Sequence, residues 1–461
     1  MKSYELLSRF QYRTPLLSID AMNELLRAIN KEGPAPALRA FFFQPLIAEA
    51  LYIGSGSLFE RFKVWAEFGI EDKNDEERLL LSLLKYAIRM SARCTPFGLF
   101  AGVGTGNWSS HEHNFVLTSP SKVCKHISLD ADYVYNISLT IQEQYPEIKL
   151  TLRYFSNTTL FKVGNSFRYI SYTLTARRRI YQLQTVGWSA YLEKVIEACR
   201  SGQTASDIIQ LLLTFEVSTE EATSFFFQLI DNQLLVSELE PRIGDGDYFE
   251  QAYDRMIHNP ELNTLPALFP VRNEFARIKE SVSSLTPNHP NFLDFPGAYD
   301  RLKFQQLTPR IPVQHHFLVN STRPAVEASL NSRIGSSLRK ALSLLNFLTF
   351  KSADNTLTEF RTQFKQRYED RAVPLLEVLD PEIGIASHYN AVARDEHPFL
   401  VGFNFDGTSS RSENTDLLSW NPGYGMLLKK LIHEKTQAPY VLHIEEEDLK
   451  TFTENWEDTP V

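Results

Sequence analysis

Apolar positions between residues 79 and 92 recur at helical spacing: Leu80, Leu84, Ala87 and Ile88 fall on one side of a helix and are expected to pack inward. The same period sets Lys85, Arg89 and Arg93 at i, i+4 and i+8, stacking three cations on one face. Pro96 restricts Thr95 to extended backbone, so the helix is expected to stop near Cys94, before the small apolar turn Phe97-Gly-Leu-Phe-Ala-Gly102. Stacked like charges destabilise a helix by roughly 0.2–0.5 kcal/mol per pair unless an anion neutralises them. A cationic stripe running into a tight turn therefore points to phosphate or carboxylate. The plain alternative is a solvated face with acidic partners elsewhere.

Period-two alternation over 10–19 reads as a strand, with Pro15 at its edge or end and Arg13 as its basic residue. Residues 20–31 read as a helix capped by Asp20. Residues 33–40 read as a turn, followed by strand or helix to residue 54, and 71–78 as an exposed charged lead. Strands are expected at 115–118 and 123–129, then a helix for which Asp130 serves as N-cap, a role worth roughly 1 kcal/mol.

From 150 to 240 the order is short strands, three helices (Ser189 to Cys199, Thr204 to Phe215, Thr219 to Asn232) and a closing strand, the order of a winged helix-turn-helix. The third helix carries Glu220, Glu221 and Asp231 and no basic residue, which argues against DNA reading despite Arg177, Arg178 and Arg179. Phe225, Phe226 and Phe227 cannot all face one core, because successive helical residues rotate by about 100°. Residues 241–300 read as a Pro-rich crossing segment with one helix near 272–284. A strand then enters a helix from Ala325 to Leu348; a helix at 356–368, one from Gly425 to Glu434 and a strand at 440–446 complete the pattern. The expected class is α+β: several subdomains of mixed sheets and helices with an embedded winged helix, divided at 1–149, 150–240 and 241–461.

Composition narrows the chemistry. Cys94, Cys124 and Cys199 are odd in number and widely spaced, which argues against a disulfide framework or zinc site and for a reducing cytoplasm. No metal site is expected, and no run of 18 apolar residues suits a membrane span. The net charge of −9 hides an asymmetry, since residues 1–200 hold 24 Lys and Arg against 19 Asp and Glu. A polyanion would meet this half. The SxxK matches at Ser82 and Ser337, the Gly102–Gly106 stretch and the His pairs at 111/113 and 315/316 lack the context their motifs need.

The stretch RMSARCTPFGLFAGV (89–103) resembles the signature of the N-terminal, glutamylating half of class I lantibiotic dehydratases, the LanB type. FQYRTPLLSID (10–20) and RYEDRAVPLLEVLDPEIGI (367–385) resemble that family's other landmarks, in the same order. The resemblance implies tRNA-dependent glutamylation of Ser or Thr in a ribosomally made precursor peptide. Glutamyl-tRNA would be co-substrate, with no further cofactor. It puts Arg13, Arg89, Arg93, Thr95 and either Asp130 or Asp132 at glutamylation positions, and Lys85, Arg89 and Arg93 against tRNA phosphates. Asn320 stands where the family carries Asp, and an amide cannot act as a base. The winged helix would hold the precursor's leader by strand addition, with Phe225, Phe226 and Phe227 near the groove. Elimination of glutamate belongs to a further C-terminal domain, so a truncated or split enzyme with a separate elimination protein is expected, as is a homo-oligomer. Two alternatives stay open: an aminoacyl-tRNA-dependent peptide ligase, and a non-catalytic leader-binding protein.

Overall fold

The computed structural model describes residues 4–110, 113–175, 179–242, 244, 246–285, 295–313, 315–348, 356–380, 382–385, 422–433 and 442–449. The chain divides into two compact units, one of residues 9–108 with 112–330 and one of residues 1–8, 109–111 and 331–461.

The larger unit opens with β1 (Arg9–Pro15) and five helices: α1 (Ile19–Glu32), α2 (Pro34–Phe42), α3 (Pro45–Gly54), α4 (Gly56–Phe68) and α5 (Lys73–Ala92). Ser18, not Asp20, caps α1, its Oγ accepting from Ala21 N at 3.2 Å. The expected turn at 33–40 is helical, because Pro34 at the first position needs no N–H donor there and fits the helical φ. Strands β2 (Ala101–Ser109), β3 (Asn114–Leu117) and β4 (Cys124–Leu129) follow, then α6 (Ala131–Gln144). Next come β5 (Arg153–Ser156), β6 (Phe161–Val163), β7 (Ser166–Leu174), β8 (Arg179–Gly187), α7 (Ala190–Ala198), β9 (Gln203–Thr204), α8 (Ala205–Leu213), α9 (Thr219–Asp231) and β10 (Leu235–Ser237). Ser189, Thr204 and Ser218 cap α7, α8 and α9 with their hydroxyls, and Ser218 with Glu221 completes a capping box.

The unit closes with α10 (Tyr248–His258), α11 (Phe269–Leu285), α12 (Phe295–Asp300), β11 (Phe317–Thr322) and β12 (Ala325–Asn331). Two expectations change here. α10 lies in the supposed irregular segment, with Asp247 as N-cap and Phe249, Ala252 and Met256 buried at helical spacing. Residues 325–331 form a strand rather than the start of a helix, because they pair with β3.

The main sheet has six strands in the order β3-β12-β2-β11-β4, with β1 antiparallel to β2. β10-β5-β9 and β6-β7-β8 form two smaller sheets. On β2, Gly104 and Gly106 let the rings of Tyr12 and Phe10 lie against the strand, where a Cβ would collide with them. The glycine-rich stretch thus serves strand packing.

Arg323, 7% exposed, sits beside Gly102 and locks this layer. Its guanidinium donates to the carbonyls of Pro15 (2.7 Å), Leu16 (2.9 Å) and Thr118 (3.2 Å). Its own carbonyl accepts from the Tyr12 hydroxyl at 2.8 Å.

One apolar core joins α1–α5 to Ile127 and Val319 of the sheet; a second runs from Leu129 through α6 to α11. Across the first, Lys125 Nζ of β4 meets Glu49 Oε1 of α3 at 2.9 Å, and the Tyr299 hydroxyl donates to the same oxygen at 3.1 Å.

The smaller unit contains α13 (Ser332–Leu348), α14 (Thr356–Tyr368), α15 (Leu375–Val378), α16 (Pro422–His433) and α17 (Glu446–Leu449). The charge-dense landmark folds on itself there. Asp380 Oδ1 accepts from Glu382 N (2.8 Å) and Ile383 N (3.0 Å), and Arg367 donates to Gly384 O (3.2 Å). Of the strand expected at 440–446, residues 442–445 are irregular and Glu446 begins α17; 440 and 441 lie outside the described residues. Among the described residues no helix is long and apolar enough to cross a membrane.

Candidate functional site

α5 buries Leu79, Leu83, Ala87 and Met90, one residue round the helix from the expected line. Apolar residues on both sides of that line made either rotation plausible from pattern alone. Ile88 is consequently 45% exposed and joins the cationic side. The helix ends at Ala92, and Arg93 is extended at φ −113 and ψ 116. An open pocket of about 450 Å³ forms there, lined by Lys85, Tyr86, Ile88, Arg89, Ala92, Arg93 and Phe97.

Among the described residues, three cations and no carboxylate line this pocket. The Arg89 guanidinium lies 4.7 Å over the Phe97 ring, and its Nε is buried with no hydrogen-bond partner among the described residues. Stacking on an aromatic face holds the guanidinium plane while leaving its outer N–H groups free for an anion. The position also suits a cation at a helix C-terminus, where the backbone dipole is negative. Thr95 is exposed just beyond the pocket-lining helix.

A second group of residues meets on the main sheet. Arg13 pairs with Val103, Val103 with Thr322, and Asn320 with His126. Strand side chains alternate, so these five share one face, while Lys125, Ile127, Val319 and Ser321 point into the interior. Arg13 and Asn320 are both exposed on that outward face. Arg13 stands two strand spacings from Thr322, about 10 Å. His126, which no sequence motif singles out, has Nε2 at 3.1 Å from Thr322 Oγ1.

Asp130 stands at the end of β4, about 13 Å along the strand from His126. Its Oδ1 accepts from Asp132 N (2.9 Å) and Tyr133 N (3.3 Å), so it caps α6. Its N–H donates to His316 O at 3.0 Å. Burial, reinforced by Lys303, holds the His316 pKa below the ordinary range. The described contacts tie the segment just after β1 to α5 through Leu17 N, which donates to Met90 O at 2.9 Å.

A third locus is the β6-β7-β8 sheet. Among the described residues β8 pairs with β7 alone, and Tyr181 and Leu183 along it are exposed. The opposite edge of β7 is closed at Tyr172, whose N–H and C=O both bond the Gln233 side chain at 2.9 Å. Phe226 is fully buried, its ring 5.1 Å from Tyr154. Phe225, against Tyr191 at 5.4 Å, and Phe227 are half-buried. The three therefore split between a core role and two flanking ones. Arg179 at the start of β8 meets Asp132 of α6 at 3.2 Å and lies 3.9 Å over the Tyr135 ring. Nearby, burial pushes Glu240 up to about 7 against the pull of Arg179.

The family described as "Lantibiotic dehydratase, N terminus" matches residues 44–461. The subtilin biosynthesis protein SpaB of Bacillus subtilis is 22% identical over 385 residues, covering 82% of this chain and 35% of SpaB. The epidermin biosynthesis protein EpiB of Staphylococcus epidermidis is 23% identical over 272 residues, 58% of this chain and 26% of EpiB. In structure the chain resembles the tRNA dependent lantibiotic dehydratase MibB from Microbispora sp. 107891, with a TM-score of 0.63 at 20% identity over 82% of this chain and 35% of MibB. It also resembles the glutamylation domain of TbtB, from thiomuracin biosynthesis, bound to 5'-phosphodesmethylglutamycin. There the TM-score is 0.57 at 16% identity, over 93% of this chain and 52% of that one. At these identities the structures establish a shared fold. The chain spans 35% and 26% of the lengths of the two curated relatives.

Proposed function

The chain belongs to the lantibiotic dehydratase family, to the part described as its N terminus, and from that premise we propose that it transfers the glutamyl group of glutamyl-tRNA to Ser or Thr hydroxyls of a ribosomally made precursor peptide. The observation that carries this reading is the acid-free pocket of Lys85, Arg89 and Arg93, with Arg89 held flat on Phe97. Guanidinium groups bind phosphate in a forked geometry and also polarise a carbonyl oxygen, which are the two demands of a tRNA ester. The ester is already activated, so the transfer needs placement of the hydroxyl and charge stabilisation rather than nucleotide hydrolysis.

The module of residues 150–240 is read as a winged helix that holds the leader. An extended peptide added along β8 would have its backbone satisfied by that open edge, with Tyr181, Leu183, Phe225 and Phe227 available to its side chains. Phe226 is left to the core.

Replacing both Arg89 and Arg93 by Ala is expected to weaken tRNA binding and lower the slope of log K against log salt by about 0.7–0.9 for each phosphate no longer neutralised. Equal affinity and slope in both proteins would refute the phosphate role. A second reading, leader binding without catalysis, is favoured by Asn320, whose amide cannot take a proton. Glutamylated precursor formed by the chain from charged tRNA, detected by mass, would dismiss it.

A further inference from the structure

The outward sheet face holds a side chain that the transfer reading leaves unused. His126 stands directly opposite Asn320 in the antiparallel β4–β11 pair, and both are exposed. Opposed residues in such a pair keep their Cβ atoms about 4.5–5.5 Å apart, so the imidazole and the amide occupy one patch. The 3.1 Å contact between His126 Nε2 and Thr322 Oγ1 gives the ring a fixed point. Arg13 lies on the same face, two strands from Thr322 and three from His126.

The other titratable or charged groups that the strand register puts on this face are Cys124 of β4, Arg9 and Arg13 of β1, and Glu327 of β12, which lies opposite Val116 and accepts from the Asn114 amide at 2.5 Å. Arginine does not release its proton in proteins. The Cys124 thiol points to Lys122 O, 3.9 Å away, as a donor. The helices packed on β4 meet its opposite side. Leu129 shares a core with Met256 of α10 and Phe275 of α11, and Ile127 shares one with Leu285. Glu327 is held by Asn114 of β3, so His126 is the base that stands opposite Asn320 on this face.

We propose that His126 is the general base of the transfer, acting where the Asn320 amide cannot; this rests on the glutamyl-transfer reading above. In the tautomer whose Nε2–H donates to Thr322, Nδ1 is the free base. As the peptide hydroxyl oxygen attacks the ester carbonyl carbon, its proton passes to Nδ1 and a C–O bond to the Ser or Thr forms. The bond to the tRNA ribose oxygen then breaks, its electron pair stays on that oxygen, and the imidazolium returns the proton there. No further reactant is consumed.

The test uses the full chain with glutamyl-tRNA and a precursor peptide encoded beside it, following glutamylated product by mass between pH 5.5 and 8.5. His126→Gln keeps a hydrogen bond to Thr322 but cannot titrate. It is expected to lower the rate by about 100-fold or more and to flatten the acid limb of the pH profile, with tRNA binding unchanged. Adding Asn320→Asp to that variant is expected to restore part of the rate, because a carboxylate then stands across the strand pair. A His126→Gln rate close to wild type with the same acid limb would overturn the role of His126 while leaving the transfer reading intact. Absence of product from the wild-type chain, with bound tRNA demonstrated, would overturn the transfer reading and the role of His126 with it.

Discussion

Lys125→Met should act on the whole larger unit, because Lys125 and Glu49 form an ion pair with side chains only 4% and 9% exposed. Removing the lysine leaves a carboxylate buried with the Tyr299 hydroxyl as its remaining donor among the described residues. Breaking one side of a buried pair costs about 3–5 kcal/mol. Against a total stability of about 5–15 kcal/mol for a folded protein, that is a large share.

The double variant Glu49→Leu/Lys125→Met removes both charges and fills similar volume, an exchange that elsewhere ranges from neutral to a gain of about 1–4 kcal/mol. Here it also leaves the Tyr299 hydroxyl without its acceptor, a loss of about 1–3 kcal/mol. The double variant should therefore be more stable than the single one by about 2 kcal/mol or more. Hydrogen exchange in peptides covering α3 and β4 reads the opening free energy locally, without assuming that the unit unfolds in one step. Losses that add, with the double variant weaker than either single one, would refute the account of a mutually dependent buried pair.

Two further outcomes follow from the geometry. Glu240 is held protonated by burial up to about 7, above the ordinary carboxylate value, so the folded state binds the extra proton and stability falls as pH rises through that interval. Glu240→Gln should raise the melting temperature relative to wild type more at pH 8 than at pH 5, and a pH-independent difference would contradict this. Gly104→Ala would drive a methyl into the Tyr12 ring, which is held by its bond to Arg323 O, and should lose about 1–3 kcal/mol in thermal unfolding. Tyr12→Ala in the same chain should recover part of that loss.

Local rules carried much of the fold. Ser189, Thr204 and Ser218 marked three helix starts, and Pro96 marked the end of α5 closely. The misses have common causes. Pro34 reads as a breaker until its place in the first turn is known, and β12 is a strand because of β3, a partner about 210 residues away. Asp247 and the spacing of Phe249, Ala252 and Met256 were sufficient to find α10, but the surrounding prolines masked that period. The cationic pocket was legible because its residues share one helix. The patch of Arg13, His126 and Asn320 was not, because strand register across three distant segments is invisible in any one of them.

The order β3-β12-β2-β11-β4 has a consequence for synthesis of the chain. β2, β3 and β4 leave the ribosome with the strands that belong between them, residues 317–331, still to be made. At about 5–20 residues per second the gap lasts on the order of 10–40 s. During that time the backbone edges later covered by β11 and β12 are open, and the carbonyls of Pro15, Leu16 and Thr118 await the guanidinium of Arg323. The nascent chain therefore has to keep a half-built sheet from pairing with other polypeptides. Its expression should respond more to chaperone supply and growth temperature than its finished stability would suggest.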